Sequence, residues 1–331
     1  MLKQIATAAF LGALTIGAAS AETVRAHTTA AGSAPNTVIK LLSRYAGEAG
    51  VTVQVAEGQV MTRSMFVVAA GKAEVMSAIV GQYARLQDGT GPFKDMSQQA
   101  QEASTHLRSV MSFPVGALHA LTWEGNGITS FADVAGKRVY TGPGGGGASV
   151  DNEEMIELLT GLKAGKDYEA SRMPWREGMQ AMRDGQVDVM FRVAPIGSAI
   201  IQEFGLSKKI RFLGFTDEDL KDAHFAEHMD VPGRVALKLE PGTYEGQVNT
   251  DPVGIGAFLG SIALSDKVSD DTAYKLTKAF WENFDAIRDS AIFLKSVDPQ
   301  APFEGLNIPL HPGAIRYYEE AGIAIPDALR P

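Results

Sequence analysis

Strand and helix patterns alternate after a short N-terminal segment, and this alternation constrains the fold more than any other feature of the chain. ETVRAHTT predicts a strand, and VTVQVAEG predicts a second strand through its alternating valines. Between them Val38, Leu42 and Tyr45 share one face of an amphipathic helix. A strand, a helix and a second strand in this order indicate an open α/β sheet.

The alternation restarts near residue 122 and predicts a second lobe. We expect an α/β protein of two lobes with a cleft between them: lobe I from residues 22–121 and 236–331, and lobe II from residues 122–235. A strand pair is predicted around Leu107–Met111 and Ala117–Thr122. The C-terminal third is predicted to be helical.

The N-terminus has the three parts of a secretory signal peptide. Lys3 precedes an apolar run from Ile5 to Ile16, and Ala19-Ser20-Ala21 forms a small-residue cleavage site. We therefore predict a signal peptide over residues 1–21 and an exported, periplasmic protein that begins at Glu22. An uncleaved membrane anchor is the alternative.

Composition narrows the class of protein. Without residues 1–21 the chain has 29 Lys and Arg against 39 Asp and Glu, a net charge of −10, so nucleic acid is not an expected partner. The chain has no cysteine, and an exported protein of this kind must be stabilised by its apolar core.

A glycine-rich loop between a predicted strand and a predicted helix is the most conspicuous candidate for ligand binding. Glycines let successive backbone N–H groups approach a ligand, and a helix N-terminus favours an anion such as a carboxylate. The predicted contacts in this loop are Gly145, Gly147, Ala148 and Ser149.

The same loop also satisfies the dinucleotide fingerprint G-x-G-x-x-G. Gly142, Gly144 and Gly147 supply the glycines, and Asp167 and Glu169 follow about 20 residues later. With five glycines in six positions the pattern is nearly guaranteed, and an exported protein has little access to nicotinamide cofactors. We predict no cofactor; a flexible turn is a further alternative.

The loop after the first strand is the equivalent feature of lobe I. Thr29, Ser33 and Asn36 are predicted ligand contacts there, although Ser33 or Asn36 could simply cap the helix. Arg63 and Ser64 begin the next helix, where the guanidinium could hold a carboxylate or be solvated.

Two further contacts are predicted in lobe II. Arg192 ends the apolar strand VDVMF, where open sheets place ligands, and an inter-lobe ion pair is its alternative. Trp175 begins a helix and could stack on the ligand or pack as an ordinary core residue.

Catalytic patterns are poor, so we predict that the chain is not an enzyme. It has no thiol, no G-x-S-x-G and no H-E-x-x-H sequence. His224 and His228 are spaced for a metal on one helix face, but no metal site is predicted.

Four segments together resemble a known family along most of the chain after residue 21. They are ITSFADVAGKRVYTGPGGGG, PWREGMQAMRDGQVDVMF followed by AP, LEPGTYEGQ, and IPLHPGAIRYYEEAGI. On these segments the chain resembles the solute receptors of TRAP transporters in the TAXI subgroup.

The resemblance implies a fold like that of type II periplasmic binding proteins. It also implies capture of a small organic acid or amino acid in the cleft, delivery to membrane permease subunits, and uptake driven by an ion gradient. The alternatives are the binding component of an ATP-driven importer, a periplasmic enzyme that uses the glycine loop, and a sensor or adhesion module.

Overall fold

A computed structural model describes residues 22–331, and the signal peptide predicted for residues 1–21 lies outside them. The strands are β1 (Glu22–His27), β2 (Val51–Ala56), β3 (Val75–Ile79), β4 (Leu107–Trp123), β5 (Arg138–Tyr140), β6 (Glu169–Ser171), β7 (Val189–Ala194), β8 (Ile210–Leu213), β9 (Arg234–Leu239) and β10 (Val253–Ser265). The helices are α1 (Ala34–Glu48), α2 (Met61–Ala69), α3 (Val80–Asp88), α4 (Ser97–Ser104), α5 (Gly147–Thr160), α6 (Trp175–Arg183), α7 (Ala199–Ser207), α8 (Ala223–Met229), α9 (Asp270–Glu282), α10 (Phe284–Ser290) and α11 (Pro312–Glu320).

Two long strands join the halves of the sheet. The strand order is β2-β1-β3-β10-β4-β7-β5-β6, with β8 also paired to β4 and β9 to β10. β1 is parallel to β2 and β3, and β5 is parallel to β6 and β7, whereas β4 and β10 run antiparallel to each other. Each half is thus an α/β unit, and the predicted fold class is confirmed.

The strand pair predicted near residues 107–122 is wrong, because β4 is one continuous strand of 17 residues. Pro114 is its last residue paired with β10, and Ala117 is the first paired with β7. Proline lacks an N–H donor, so it costs little where a strand changes partner. Gly116 is required there, because a Cβ would lie 2.5 Å from the backbone of Ala194.

Lobe I has an apolar layer on each face of its strands. On one face α1, α9 and α11 contribute Leu42, Leu276, Phe280 and Tyr318, all fully buried. On the other face α2, α3 and α4 contribute the second layer. Of the aromatic side chains on α9 and α10, Phe280 and Phe284 belong to this core, whereas Tyr274 is half-buried.

Lobe II repeats this arrangement. α6 and α7 pack on one face of β4 and β7, around residues such as Phe204 and Met190. α5 and α8 pack on the opposite face, around Ile156 and Phe225. The division of the chain at residues 121/122 and 235/236 stays a prediction. Within residues 22–331 no helix is both long and apolar enough to cross a membrane.

Candidate functional site

A cavity of about 480 Å³ lies between the two lobes, a size typical of small-molecule sites. It is lined by Thr29, Ala30, Ala31, Ser33, Ala34, Pro35, Glu57, Gly58, Gln59, Val60, Met61, Thr62, Ile79, Gln82, Val115, Leu118, Pro143, Gly146, Gly147, Ala148, Asp151, Asn152, Pro174, Trp175, Arg176, Arg192, Val193 and Phe258. Six of the eleven predicted contacts are in this lining: Thr29, Ser33, Gly147, Ala148, Trp175 and Arg192.

Arg192 is a buried cation in the cavity lining. It lies on β7 opposite His119 of β4, and only 4% of its surface is exposed. Its Nε is buried without a hydrogen-bond partner, and no carboxylate of residues 22–331 forms an ion pair with it. Burial lowers its pKa. The inter-lobe ion pair considered for Arg192 is therefore not formed.

The indole ring of Trp175 packs against the Arg192 guanidinium. The Arg192 Cζ lies 4.9 Å from the centroid of the indole ring, a cation–π contact. Tyr140 meets the same indole edge-on, with ring centroids 6.0 Å apart. Trp175 is half-buried and lines the cavity, and its stacking on a ligand stays a prediction.

The glycine-rich loop divides between cavity wall and internal scaffold. Gly147 and Ala148 begin α5 and line the cavity, and the N-cap residue Gly146 supplies no side-chain cap to the first N–H groups. Ser149 is buried, and its Oγ donates to the carbonyls of Pro143 and Gly146 at 3.0 Å. Ser149 therefore braces the loop and is outside the lining.

Gly145 faces the other lobe instead of the cavity. Its φ of 71° is in the left-handed region that glycine tolerates, and its carbonyl accepts a hydrogen bond of 2.8 Å from Thr62 Oγ1. This bond connects the glycine loop of lobe II to the start of α2 in lobe I.

The first loop of lobe I positions two hydroxyls at the cavity wall. Thr29 Oγ1 and Ser33 Oγ lie 2.5 Å apart, and Ser33 Oγ donates to the Ala30 carbonyl. Ser33 also caps α1 by accepting from the Asn36 backbone N–H, so its capping role is observed. The Asn36 side chain is buried next to the lining but is not part of it, and its Nδ2 has no partner among the described residues.

Arg63 and Ser64 lie outside the lining. The Arg63 side chain is exposed near Gly145, with Nη2 3.4 Å from the position of a Cβ built on that glycine. Ser64 is buried, and its Oγ lies 2.9 Å from Nδ1 of His27. Neither side chain faces the cavity, and their predicted contact with a ligand stays a prediction.

A polar cluster holds the lobes together beside the cavity. Gln82 of α3 in lobe I donates from Nε2 to Asp151 Oδ2 of α5 at 2.8 Å. Arg85, also on α3, lies 2.9 Å from Asp151 and 2.8 Å from Glu154. Arg234 of lobe II reaches the same Asp151 carboxylate at 3.2 Å.

Glu154 completes this cluster at its exposed side. His228 Nδ1 lies 3.3 Å from Glu154 Oε2. The contacts with His228 and then with Arg85 lower the pKa of Glu154 to about 2, against a smaller opposing effect of burial. The carboxylate therefore stays ionised and keeps its contact with Arg85 across the lobes at neutral pH.

The residues that form the cavity floor are not among those predicted from the sequence. Val115, Leu118 and Phe258 come from the crossing strands β4 and β10, together with Val193 of β7. As apolar strand residues they carry no signal that separates them from the core. Gln82 and Asp151 were also missed, because polar residues on helices usually face solvent.

The metal alternative at His224 and His228 finds no support in the part of the chain described. No group of three or more His, Cys, Asp or Glu side chains within residues 22–331 could hold a metal ion. His228 instead lies against Glu154, and its ring stacks with Phe225 at 6.0 Å between centroids.

Comparison with known proteins shows the family to which the chain belongs. The sequence profile of the NMT1-like family matches residues 34–322. Among solved structures, a protein of Bordetella bronchiseptica RB50 is 15% identical, with a TM-score of 0.50 over 92% of this chain and 90% of that chain.

Two functionally described proteins are more distant. The periplasmic ectoine-binding protein of the TeaABC TRAP transporter of Halomonas elongata is 13% identical over 90% of each chain, with a TM-score of 0.43. The periplasmic aliphatic sulphonate binding protein SsuA of Escherichia coli is 14% identical over 90% of this chain and 78% of that chain, with a TM-score of 0.41. At these identities the likeness concerns the fold.

Proposed function

Because the chain belongs to the NMT1-like family, we propose that it is a periplasmic solute-binding receptor that captures a small anion between its lobes and delivers it to a membrane transporter. The proposal includes no catalytic step. Its ligand is a small organic acid or amino acid with a carboxylate, as the sequence analysis predicts.

The observation that carries this proposal is the environment of Arg192. Arg192 is 4% exposed and has no carboxylate partner within residues 22–331. An unpaired buried charge costs on the order of several kcal/mol. A carboxylate in the adjacent cavity would offset that cost with two parallel hydrogen bonds. The uncapped N-terminus of α5 adds a favourable field for the same charge.

The transporter class is proposed from the sequence segments that resemble TAXI-type receptors. PWREGMQAMRDGQVDVMF supplies Trp175 and leads directly to Arg192, and the glycine-rich segment supplies Gly147 and leads directly to Ala148. The residues of the resemblance therefore coincide with cavity residues. An ATP-driven importer is the alternative; co-purification with permease subunits distinguishes the two.

Capture follows from the contacts that cross the cleft. Thr62 to Gly145, Gln82 to Asp151 and Arg85 to Glu154 all join lobe I to lobe II. A ligand held by Arg192 and by the lobe I wall binds the closed arrangement more tightly than an open one. Closure then requires only this difference in affinity.

A thermal-shift screen of the protein from Glu22 onward tests the proposal, after unfolding and refolding to remove co-purified ligand. A ligand at a hundredfold excess over its Kd adds about 2.7 kcal/mol, which raises the midpoint by about 4 °C at this size. We expect Arg192→Gln to abolish the shift and the exposed control Arg44→Gln, which lies outside the lining, to retain it. An equal shift in wild type and Arg192→Gln would contradict the proposal.

A further inference from the structure

Charge in the cavity is concentrated in one group. Arg192 and Arg176 are the two cations of the lining. Arg176 is exposed at the rim, where water screens its charge. Arg192 is buried, its Nε has no hydrogen-bond partner, and no carboxylate of residues 22–331 forms an ion pair with it. The interior of the cavity therefore offers one uncompensated positive charge.

The two acidic residues of the lining are already paired. Glu57 is exposed and lies 2.5 Å from Lys40. Asp151 is buried between two guanidiniums, at 2.9 Å from Arg85 and 3.2 Å from Arg234. A ligand ammonium placed at Asp151 would be repelled by both arginines, so no free site for a cationic group is present in this lining.

The hydroxyl and amide groups of the wall are also largely committed. Thr29 and Ser33 bond each other at 2.5 Å, and Thr62 donates to Gly145. Asn152 donates from Nδ2 to the carbonyl of Thr141, at 2.8 Å. A second carboxylate inside the cavity would face side-chain donors that are already engaged, and the uncapped N–H groups of α5 favour the carboxylate that Arg192 binds. An unpaired buried polar group is costly.

Gln82 supplies a buried acceptor. Its Nε2 is bonded to Asp151, and its Oε1 is buried without a partner in the described chain. Gln82 lines the cavity, so this oxygen can accept from a neutral ligand hydroxyl. A hydroxyl gains this bond without adding charge beside Arg85.

The remaining surface is apolar on both lobes. Lobe I contributes alanines, Pro35 and aliphatic side chains, and the crossing strands contribute the floor. The apolar side chains of the lining are Ala30, Ala31, Ala34, Pro35, Val60, Met61, Ile79, Val115, Leu118, Pro143, Ala148, Pro174, Trp175, Val193 and Phe258. Such walls bind an apolar ligand body through the area that it removes from water.

We infer that the ligand is a monocarboxylic acid with a branched or aromatic apolar body and a neutral C2 position, either unsubstituted or hydroxylated. The carboxylate is bound by Arg192 and the body by the apolar walls. Amino acids and dicarboxylates are disfavoured, because their second charge finds no free partner inside the cavity. This inference rests on the proposed function and narrows its ligand.

Titration calorimetry with ligands of matched skeleton tests the inference on the refolded protein. One set is 4-methylpentanoate, 4-methyl-2-hydroxypentanoate and leucine; the other is 3-phenylpropionate, 3-phenyllactate and phenylalanine. Glutarate and 3-phenylpropanamide complete the panel. In at least one set, we expect an acid to bind about 100-fold more tightly than the amino acid of the same skeleton. A difference of this size is expected when the amino acid buries one charge without a partner.

Variants separate the inference from the proposed function. Arg192→Met should weaken binding of the acid by about 100-fold or more, and Arg44→Gln, an exposed arginine outside the lining, should leave its Kd within about threefold. Tighter binding of leucine, phenylalanine or glutarate, lost in Arg192→Met, would overturn the ligand class and leave the receptor proposal standing. Equal binding of the amide and the acid, or binding of no anion in the panel, would overturn both.

Discussion

Arg192 and Arg234 are a natural pair for comparison, because both guanidiniums are buried and only one has a carboxylate. Arg234 lies 3.2 Å from Asp151, and its side chain is 4% exposed; Arg192 has no such partner among the residues described. We expect Arg192→Met to raise the unfolding free energy of the ligand-free protein by about 1 kcal/mol or more, because the substitution removes an unpaired buried charge and keeps the packing volume.

The matched variant Arg234→Met should act in the opposite direction. It removes one of the two cations of Asp151, and breaking a buried pair costs about 3–5 kcal/mol. Urea unfolding measures the change in unfolding free energy, which should be an increase for Arg192→Met and a decrease for Arg234→Met. Destabilisation by Arg192→Met on the scale of Arg234→Met would mean that Arg192 is a structural residue.

His119 predicts a pH dependence of stability. Its Nδ1 donates to the Ala117 carbonyl at 2.9 Å, and its Nε2 accepts from the Tyr244 hydroxyl at 2.8 Å. Burial lowers the pKa of His119 to about 4, so the unfolded chain, with an imidazole pKa of about 6.5, binds the proton more tightly. The contribution of neutral His119 to the unfolding free energy is fully present above about pH 6.5 and is lost as the pH falls towards 4.

The loss should reach up to about 3 kcal/mol near pH 4. His119→Gln removes the titrating group, and other groups contribute equally to both proteins. Urea unfolding between pH 7 and pH 4.5 should therefore show a smaller decline in His119→Gln than in wild type. Parallel declines would contradict the burial of a neutral imidazole at this position.

Sequence alone identifies cavity residues where the chain pattern is unusual. Gly147 and Ala148 are found through the glycine run, Arg192 through its place at the end of an apolar strand, and Trp175 through its position at a helix start. Ser149 is a residue that the sequence does not place correctly, because a hydroxyl in such a loop can face the ligand or donate to the backbone of its own loop. Only the fold decides between these orientations.

At the scale of single elements, the N-terminus of α5 depends on the absence of a side chain at residue 147. A Cβ on Gly147 would lie 2.2–2.5 Å from the Gln82 carboxamide. Gly147→Ala should therefore displace Gln82 from Asp151 and weaken ligand binding by roughly tenfold, as overpacking of 1–3 kcal/mol implies. Calorimetry with the acid that binds wild type measures this change.

Gly144→Ala is the matched control in the same loop. The nearest atom to its Cβ would be Arg172 Cβ at 3.7 Å, an ordinary contact. Alanine is also the better helix former at residue 147, so helix propensity alone would stabilise that variant. Equal affinities in the two variants would show that Gln82 can move away without cost.

Helices and strands are predicted from the sequence more reliably than the pairing of the strands in the sheet. The alternating valines of β2 and the apolar face of α1 give both elements from local pattern. The continuity of β4 escapes such reasoning, because Pro114 and Gly116 usually interrupt strands. Here they mark the change of partner from β10 to β7, which depends on residues distant in sequence.

At the scale of the whole molecule, the crossing strands and the inter-lobe contacts have different roles. β4 and β10 connect the lobes through backbone pairing over residues 107–114 and 259–265, which any motion must preserve. The bonds from Thr62, Gln82 and Arg85 to lobe II are side-chain contacts that can break singly. We therefore expect lobe motion about the crossing strands, with these contacts formed in the closed state.

Spin labels on either side of the cavity mouth test this motion. The chain has no cysteine, so Arg63→Cys and Arg172→Cys can be labelled without background; both positions are exposed and flank the glycine loop from opposite lobes. With saturating acid we expect one short, narrow distance between the labels, and without it a longer or broader distribution, because ligand shifts the population to the closed state. A pair within lobe I, Arg44→Cys with Asp285→Cys, should give the same distance in both conditions. If the mouth distance is also unchanged, the lobes are fixed, and the ligand must enter a preformed cavity instead of closing it.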